Sequence, residues 1–267
     1  MIMDRSEQVA KYVIETIHKG TRAEFRCQQS TGEYDFDLIY ADGTKAAVEV
    51  TRSTDQDSLQ TLTELGKQGC CVDAVACRHS WLVNALPEAW IKLVRANVDR
   101  YLSAIEAEGV SQFLADEFGC GSPSVSNIFQ CLRIIEGSTL TLPSPARIWV
   151  TGPTLSVKGS IVKADDLQRA VEDEANKPDN RRKLGISSCR ERHLFVYVDS
   201  LNTEPWQALI TGSIPKRGPT LPAEVTHVWA ATDEAPNGIV VWTAEPSKGW
   251  QDRGVMSSCW PGWKSAS

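Results

Sequence analysis

The sequence predicts an α/β protein, and three observations carry that expectation. Residues 33–52 hold two strand-like runs around a short turn, with polar and apolar residues alternating along the first. Residues 88–108 repeat Trp90, Leu93, Val94, Val98, Tyr101, Leu102 and Ile105 at helical spacing. His193-Leu-Phe-Val-Tyr-Val-Asp199 is almost continuously apolar, as a strand covered on both faces must be, and it follows a helical stretch at 165–176. Helices and strands that alternate in this way pack as layers around a sheet.

In chain order, residues 6–17 read as a helix capped by Ser6, 22–28 as a first strand, and 35–40 with 45–51 as a hairpin. A helix at 57–67 and a strand at 72–77 follow. Gly109 ends the long helix, residues 119–126 form a Gly/Ser/Pro loop, residues 128–135 are a short apolar segment, and residues 142–145 make another break. A boundary near residue 140 divides the chain into 1–140 and 141–267, the latter an α/β region that can belong to the same globular domain. Beyond it, strands are expected at 147–150, 193–199, 225–231 and 239–243. Pro236-Asn237-Gly238 joins the last two, with Trp229 and Trp242 at matching places on the sheet. Six of the nine Trp follow residue 200; stacking on unpaired bases is one use for them, and core packing is the expected one.

The register of the first hairpin decides what its faces carry. A three-residue Ala41-Asp42-Gly43 loop sets Tyr40 opposite Thr44, and then Phe36 opposite Val48, Asp37 opposite Ala47 and Asp35 opposite Glu49. A two-residue loop would set Phe36 against Glu49 and mix charge with core on both faces, which a half-buried sheet resists. In the three-residue register Asp35, Asp37, Ile39, Ala47, Glu49 and Thr51 share a face, because side chains alternate along a strand. Opposed carboxylates repel unless a cation lies between them, and Mg²⁺ takes one or two protein carboxylates while keeping several waters. The face is therefore either a metal site or a charged, solvated sheet surface.

The order helix, three strands, helix, strand, with acids on the second and third strands, resembles the PD-(D/E)xK, or restriction-endonuclease-like, nucleases. The resemblance covers roughly residues 6–80 and implies an α-β-β-β-α-β core with a mixed sheet flanked by helices. It also implies Mg²⁺ or Mn²⁺ held by Asp35 or Asp37 and by Glu49, with Glu15 or Glu7 assisting from the first helix, and DNA as the substrate. The family's Lys position is Thr51 here, whose hydroxyl can bond a water but carries no charge. Arg52 turns to the opposite face and Lys45 lies about 20 Å from Thr51 along the strand. A cation from elsewhere, such as Lys67, Lys158 or Lys163, is the remaining source.

A formal net charge of −6 argues against broad adhesion to nucleic acid, though not against a local basic cleft. Arg181-Arg182-Lys183, followed by Arg190 and Arg192, is the concentrated basic region; it suits either phosphate contact or a helix C-terminus. Asp199 suits a carboxylate at a strand end or a turn. No apolar run approaches the roughly 18 residues of a membrane span, the first ten residues are too polar for a signal peptide, and the cytoplasm is the expected location. Eight Cys lack a C-x-x-C pair and read as reduced thiols, with Cys77 and His79 the nearest approach to a zinc half-site. His18, His79, His193 and His227 are scattered without metal or triad spacing, and neither a phosphate-binding Gly loop nor G-x-S-x-G is present. Two functions fit: a metal-dependent nuclease hydrolysing phosphodiester bonds in DNA, and a nuclease-fold binding or scaffold protein without catalysis.

Overall fold

The first hairpin has the register that separates charge from core. Phe36 pairs with Val48, Asp37 with Ala47 and Leu38 with Ala46, and Tyr40 N–H donates to Thr44 O. Gly43 sits at φ 83°, the left-handed residue that closes the three-residue loop. Phe36, Leu38, Ala46 and Val48 are fully buried on one face. Each large side chain gains about 1.5–3 kcal/mol from that burial, so a one-residue slip that exposed all of them is strongly disfavoured.

The computed structural model describes residues 3–26, 32–115, 122–142, 145–152, 163–245 and 247–256. They form two compact units, Met1–Thr54 with Gly159–Ser267, and Asp55–Lys158. The first unit opens with α1 (Arg5–Ile17), β1 (Arg22–Phe25), β2 (Phe36–Ile39) and β3 (Lys45–Ser53). The second contains α2 (Gln56–Gln68), β4 (Cys71–Asp73), β5 (Ser80–Ala85), α3 (Ile91–Ala107), β6 (Gln112–Leu114), α4 (Pro123–Leu132), β7 (Ile134–Leu140) and β8 (Arg147–Thr151). The chain then returns to the first unit for α5 (Ala164–Asn176), α6 (Pro178–Gly185), β9 (Glu191–Val198), α7 (Thr203–Thr211), β10 (His227–Ala235), β11 (Gly238–Glu245) and β12 (Gly249–Met256).

The fold is α/β with two mixed sheets. In the first unit the order is β1-β2-β3-β9-β10-β11-β12. β3, β9 and β10 run parallel at the centre, and antiparallel strands complete both edges. The division therefore falls after Thr54 and after Lys158 rather than near residue 140. β9 is the parallel neighbour of β3, from Ala46 opposite Glu191 to Ser53 opposite Val198. The strand expected at 72–77 does not fill that place: β4 pairs with β8 in the other sheet. The reason is burial. Leu194 to Val198 are all fully buried or nearly so, as a strand covered on both faces requires, whereas Cys71, Val72 and Asp73 are not.

α1 covers one face of the large sheet, with Val9, Ala10, Val13 and Ile14 against Phe36, Leu38, Val48, Phe195, Tyr197 and Trp229. Asp4 caps α1, and Glu7 closes the box by accepting from Asp4 N–H; Ser6, the expected cap, lies inside the first turn and donates to Asp4 Oδ1. The opposite face packs Leu194, Val196, Val198 and Ala230 against Leu167, Val171, Ala175 and Leu184 of α5 and α6, with Trp206, Ala208 and Leu209 of α7 in the same core. Trp229 and Trp242 are one register step apart, not matched, so they enter opposite cores; both are buried, as expected for packing.

In the second unit the sheet runs β4-β8-β5-β7-β6, and α3 and α4 bury Val94, Val98, Leu102, Val125 and Ile128 against Trp81, Val83 and Ile134. The long helix starts at Ile91, leaving Trp90 exposed at its N-terminus rather than in the core. The segment at 119–126 is partly helical, because Ser122 caps α4 and Pro123 occupies its first turn. Among the described residues no helix is long and apolar enough to cross a membrane.

Candidate metal centre on the third strand

β2 begins only at Phe36, opposite Val48, while β3 runs on to Ser53, so the backbone of β3 beyond Val48 loses its antiparallel partner. The Asp35 side chain takes over: its Oδ2 accepts Val50 N–H at 2.8 Å, and its own N–H donates to Val48 O at 3.0 Å. This places the Asp35 carboxylate beside Glu49, the next residue on β3 that points to the same face. Both are withdrawn from solvent, at 5% and 2% exposure.

Glu49 receives a cation from the other side of the fold. Lys183, on α6, donates from Nζ to Glu49 Oε1 at 2.8 Å and lies 3.3 Å from Asp179 Oδ2. Asn180 and Leu184 are the buried residues of α6, so Lys183 sits beside its inward stripe with a side chain only 18% exposed. Arg181 and Arg182 point elsewhere, to Glu224 and Asp179. Of the Arg181-Arg182-Lys183 run, one residue turns inward and two make surface pairs.

Burial pushes the Glu49 carboxyl up to about 8, the neighbouring charge of Asp35 adds to the rise, and Lys183 opposes it. Burial alone would lower Lys183. The Glu49 hydrogen bond and the charges of Glu49, Asp35 and Asp179 reverse this and hold it above the ordinary lysine value. The ammonium therefore stays protonated at neutral pH. Glu49 Oε2 is buried and finds no hydrogen-bond partner among the described residues. Two adjacent buried carboxyls are relieved by a held proton or by cationic charge, which Lys183 supplies in part. Two carboxylates are the donor type that a hard divalent ion such as Mg²⁺ or Mn²⁺ takes.

The remaining sequence candidates separate. Asp37 shares the face but is held by Tyr34, whose hydroxyl donates to Oδ1 at 2.8 Å, and by Arg26 at 3.4 Å. Thr51 donates to Glu174 Oε2 at 2.7 Å, and Lys177 pairs with Oε1 of that glutamate at 2.7 Å, so Thr51 is engaged one pleat away from Lys183. Glu15 reaches β1, accepting Ala23 N–H at 3.0 Å, and takes no part in the pair. Glu7 is bound up in the helix cap, yet Asp35 and Lys183 are among the charges that act on it, so it is the α1 glutamate nearer the site. Lys67 pairs with Glu64 in the second unit, Lys163 is exposed just before α5, and Lys158 lies outside the described residues. Asp199 accepts Leu201 N–H and a bond from Arg52, the turn role.

The chain matches no family model, no curated protein and no solved structure. The geometry of the site is thus the ground for any functional reading.

The sequence places Lys183 in the basic cluster but does not mark it as the cation beside Glu49. A lysine beside the apolar stripe of a short helix is the local signal; its target, 134 positions earlier, follows only from the β3–β9 pairing. Cys77 and His79 do not join a zinc half-site: Cys77 bonds Asp99 and His79 meets Glu106.

Proposed function

We propose that the protein is a metal-dependent phosphodiester hydrolase acting on DNA, built on a restriction-endonuclease-like core in which α1, β1, β2, β3, α5, α6 and β9 form the α-β-β-β-α-β unit. On this reading the Asp55–Lys158 unit is an insertion between the third strand and the helices that lead to the fourth. The observation that carries it is the Lys183–Glu49 contact at 2.8 Å beside Asp35. It supplies, from a helix, the ammonium that Thr51 cannot supply from the strand.

Asp35 and Glu49 would hold Mg²⁺ or Mn²⁺, which supplies Lewis-acid polarisation of a phosphate oxygen when bound. Lys183 remains cationic, so its role is to stabilise negative charge developing on the phosphate and to orient the attacking water, not to remove a proton. Water adds to phosphorus and gives up a proton to solvent, the opposite P–O bond breaks, and the released alkoxide takes a proton from solvent. Arg181 and Arg182, by exchanging their surface pairs with Glu224 and Asp179 for phosphates, would add salt-dependent affinity for the DNA backbone without sequence preference.

A second reading, a binding or scaffold protein without catalysis, draws support from the burial of the same pair: Glu49 at 2% exposure already has Lys183 on one oxygen. Catalysis requires α6 to admit a phosphate to this pair. The discriminating experiment is cleavage of plasmid and single-stranded DNA with Mg²⁺ or Mn²⁺. Activity that disappears in Glu49→Ala supports the hydrolase. Activity that persists in Glu49→Ala comes from another site or a contaminant, and absence of activity with retained DNA binding supports the scaffold.

A further inference from the structure

A second polar cluster lies on the α1 face of the same sheet, opposite to the face of Asp35 and Glu49. Glu191 and His193 alternate on β9, and His227 is the register partner of His193 on the parallel strand β10, so strand geometry sets all three side chains on one face. One ligand atom from each lies within 4.8 Å of the other two. They line a cavity of 760 Å³, together with Tyr40, Trp229 and Arg253. Sequence spacing gave no hint of this, because the His pair is made by strand pairing across 34 residues, not by a local motif.

We propose that Glu191, His193 and His227 form a binding site for a divalent transition metal of the zinc or cobalt kind. Two imidazoles and a carboxylate are the donor set such ions prefer over Mg²⁺, and three protein ligands leave coordination positions open toward the cavity. The surrounding bonds orient the ligands. Tyr40 donates its hydroxyl to Glu191 Oε2 at 2.6 Å, and Thr226 Oγ1 meets His227 Nδ1 at 2.8 Å, so His227 Nε2, 3.8 Å from Glu245 Oε2, is its ligand atom.

Loading the site requires two local changes. The His193 and His227 rings are stacked, with centroids 4.4 Å apart and planes 8° from parallel, whereas a metal must lie near the plane of each ring. His227, with its side chain 27% exposed on the cavity wall, must turn, which alters its bond to Thr226 and the 3.8 Å approach of its Nε2 to Glu245 Oε2. His193 Nδ1 accepts from Trp229 Nε1 at 3.1 Å. A metal on His193 Nε2 puts the proton on Nδ1, where it faces the indole N–H, and two donors cannot pair. Binding therefore breaks the Trp229 hydrogen bond, and the indole reports it.

The test is titration of the folded, metal-stripped full chain with Co²⁺, read by visible absorption and by tryptophan emission, with Zn²⁺ competition. With excess Mg²⁺ present to fill any site at Asp35 and Glu49, we expect one Co²⁺ per chain, a ligand-field spectrum abolished by Zn²⁺, and an emission change lost in Trp229→Phe. His227→Ala, which removes a partly exposed ligand, should abolish the spectrum while leaving the circular dichroism unchanged, and Tyr40→Phe should weaken binding by about 10–100-fold. Absence of stoichiometric Co²⁺ binding, or binding equally tight in His227→Ala and Glu191→Gln, would overturn the proposal and leave the cluster as a closed hydrogen-bond network. Glu49→Ala leaves this site intact, so the outcome is separate from that of the hydrolase.

Discussion

Lys183 Nζ stands 2.8 Å from Glu49 Oε1 although 134 residues separate them in the chain. The contact exists because β9 pairs in parallel with β3 and α6 immediately precedes β9, so the inward side of α6 lies over the acidic face of β3. Its energetic and chemical consequences can be measured separately.

The first concerns stability. At pH 9, where Glu49 is ionised, Lys183→Met leaves a buried carboxylate without its counter-charge, and we expect a loss of about 1–3 kcal/mol in urea unfolding. That is below the usual cost of breaking a buried pair, because Lys183 keeps some contact with solvent. Glu49→Gln in the same chain should recover most of the loss. A double-mutant cycle with no coupling between the two positions would show that the contact contributes nothing.

The second is a pH dependence with a definite sign. Glu49 titrates near its ordinary 4.5 when unfolded and at about 8 when folded. Between these values the folded chain holds a proton that the unfolded chain has released, so the stability of the metal-free protein falls as pH rises through this window and levels off above about 8. The effect is on the order of a few kcal/mol at most. Glu49→Gln should flatten this part of the profile. Divalent-metal binding at Asp35 and Glu49 should tighten over the same range, with release of a proton detectable by calorimetry in buffers of different ionisation enthalpy.

Thr51 supplies a contrast one pleat along the strand. Thr51→Val removes the hydroxyl that donates to the buried Glu174 and should cost about 1 kcal/mol in stability. Cleavage by the folded variant should stay within about threefold of the parent, which is under 1 kcal/mol of barrier. A far larger loss would put Thr51 in the catalytic machinery.

Gly43→Ala tests the hairpin register that sets Asp35 against Glu49. At φ 83° an alanine is strained by about 1–2 kcal/mol, and thermal unfolding should shift down accordingly.

The hairpin was legible in the sequence because its information is local. Alternation, an Ala-Asp-Gly loop and the cost of mixing Phe36 with Glu49 decide the register, and Asp35 and Glu49 follow from it. What lay beyond reach was non-local. The unit from Asp55 to Lys158 separates β3 from the strand that lies beside it, and a short helix followed by residues 72–77 offered a nearer fourth strand. The continuous apolar run at 193–199 was the better signal, since a central position demands burial on both faces. Lys183 and the His193–His227 pair were hidden for the same reason: each is assembled by parallel pairing with β9. Asp37 and Glu15 have the right residue type and spacing, but Tyr34 with Arg26 and the β1 backbone hold them elsewhere.

The most direct measurement is the single-turnover rate of DNA cleavage in Mn²⁺ for the parent chain, Glu49→Gln and Lys183→Met, purified in parallel and shown to be folded. The expected result is metal-dependent cleavage by the parent, none with Glu49→Gln, and a rate lower by about 10²–10³ with Lys183→Met. Cleavage by all three at the same rate, or by none of them, would contradict the assignment of Asp35, Glu49 and Lys183 as a phosphodiester-hydrolysing centre.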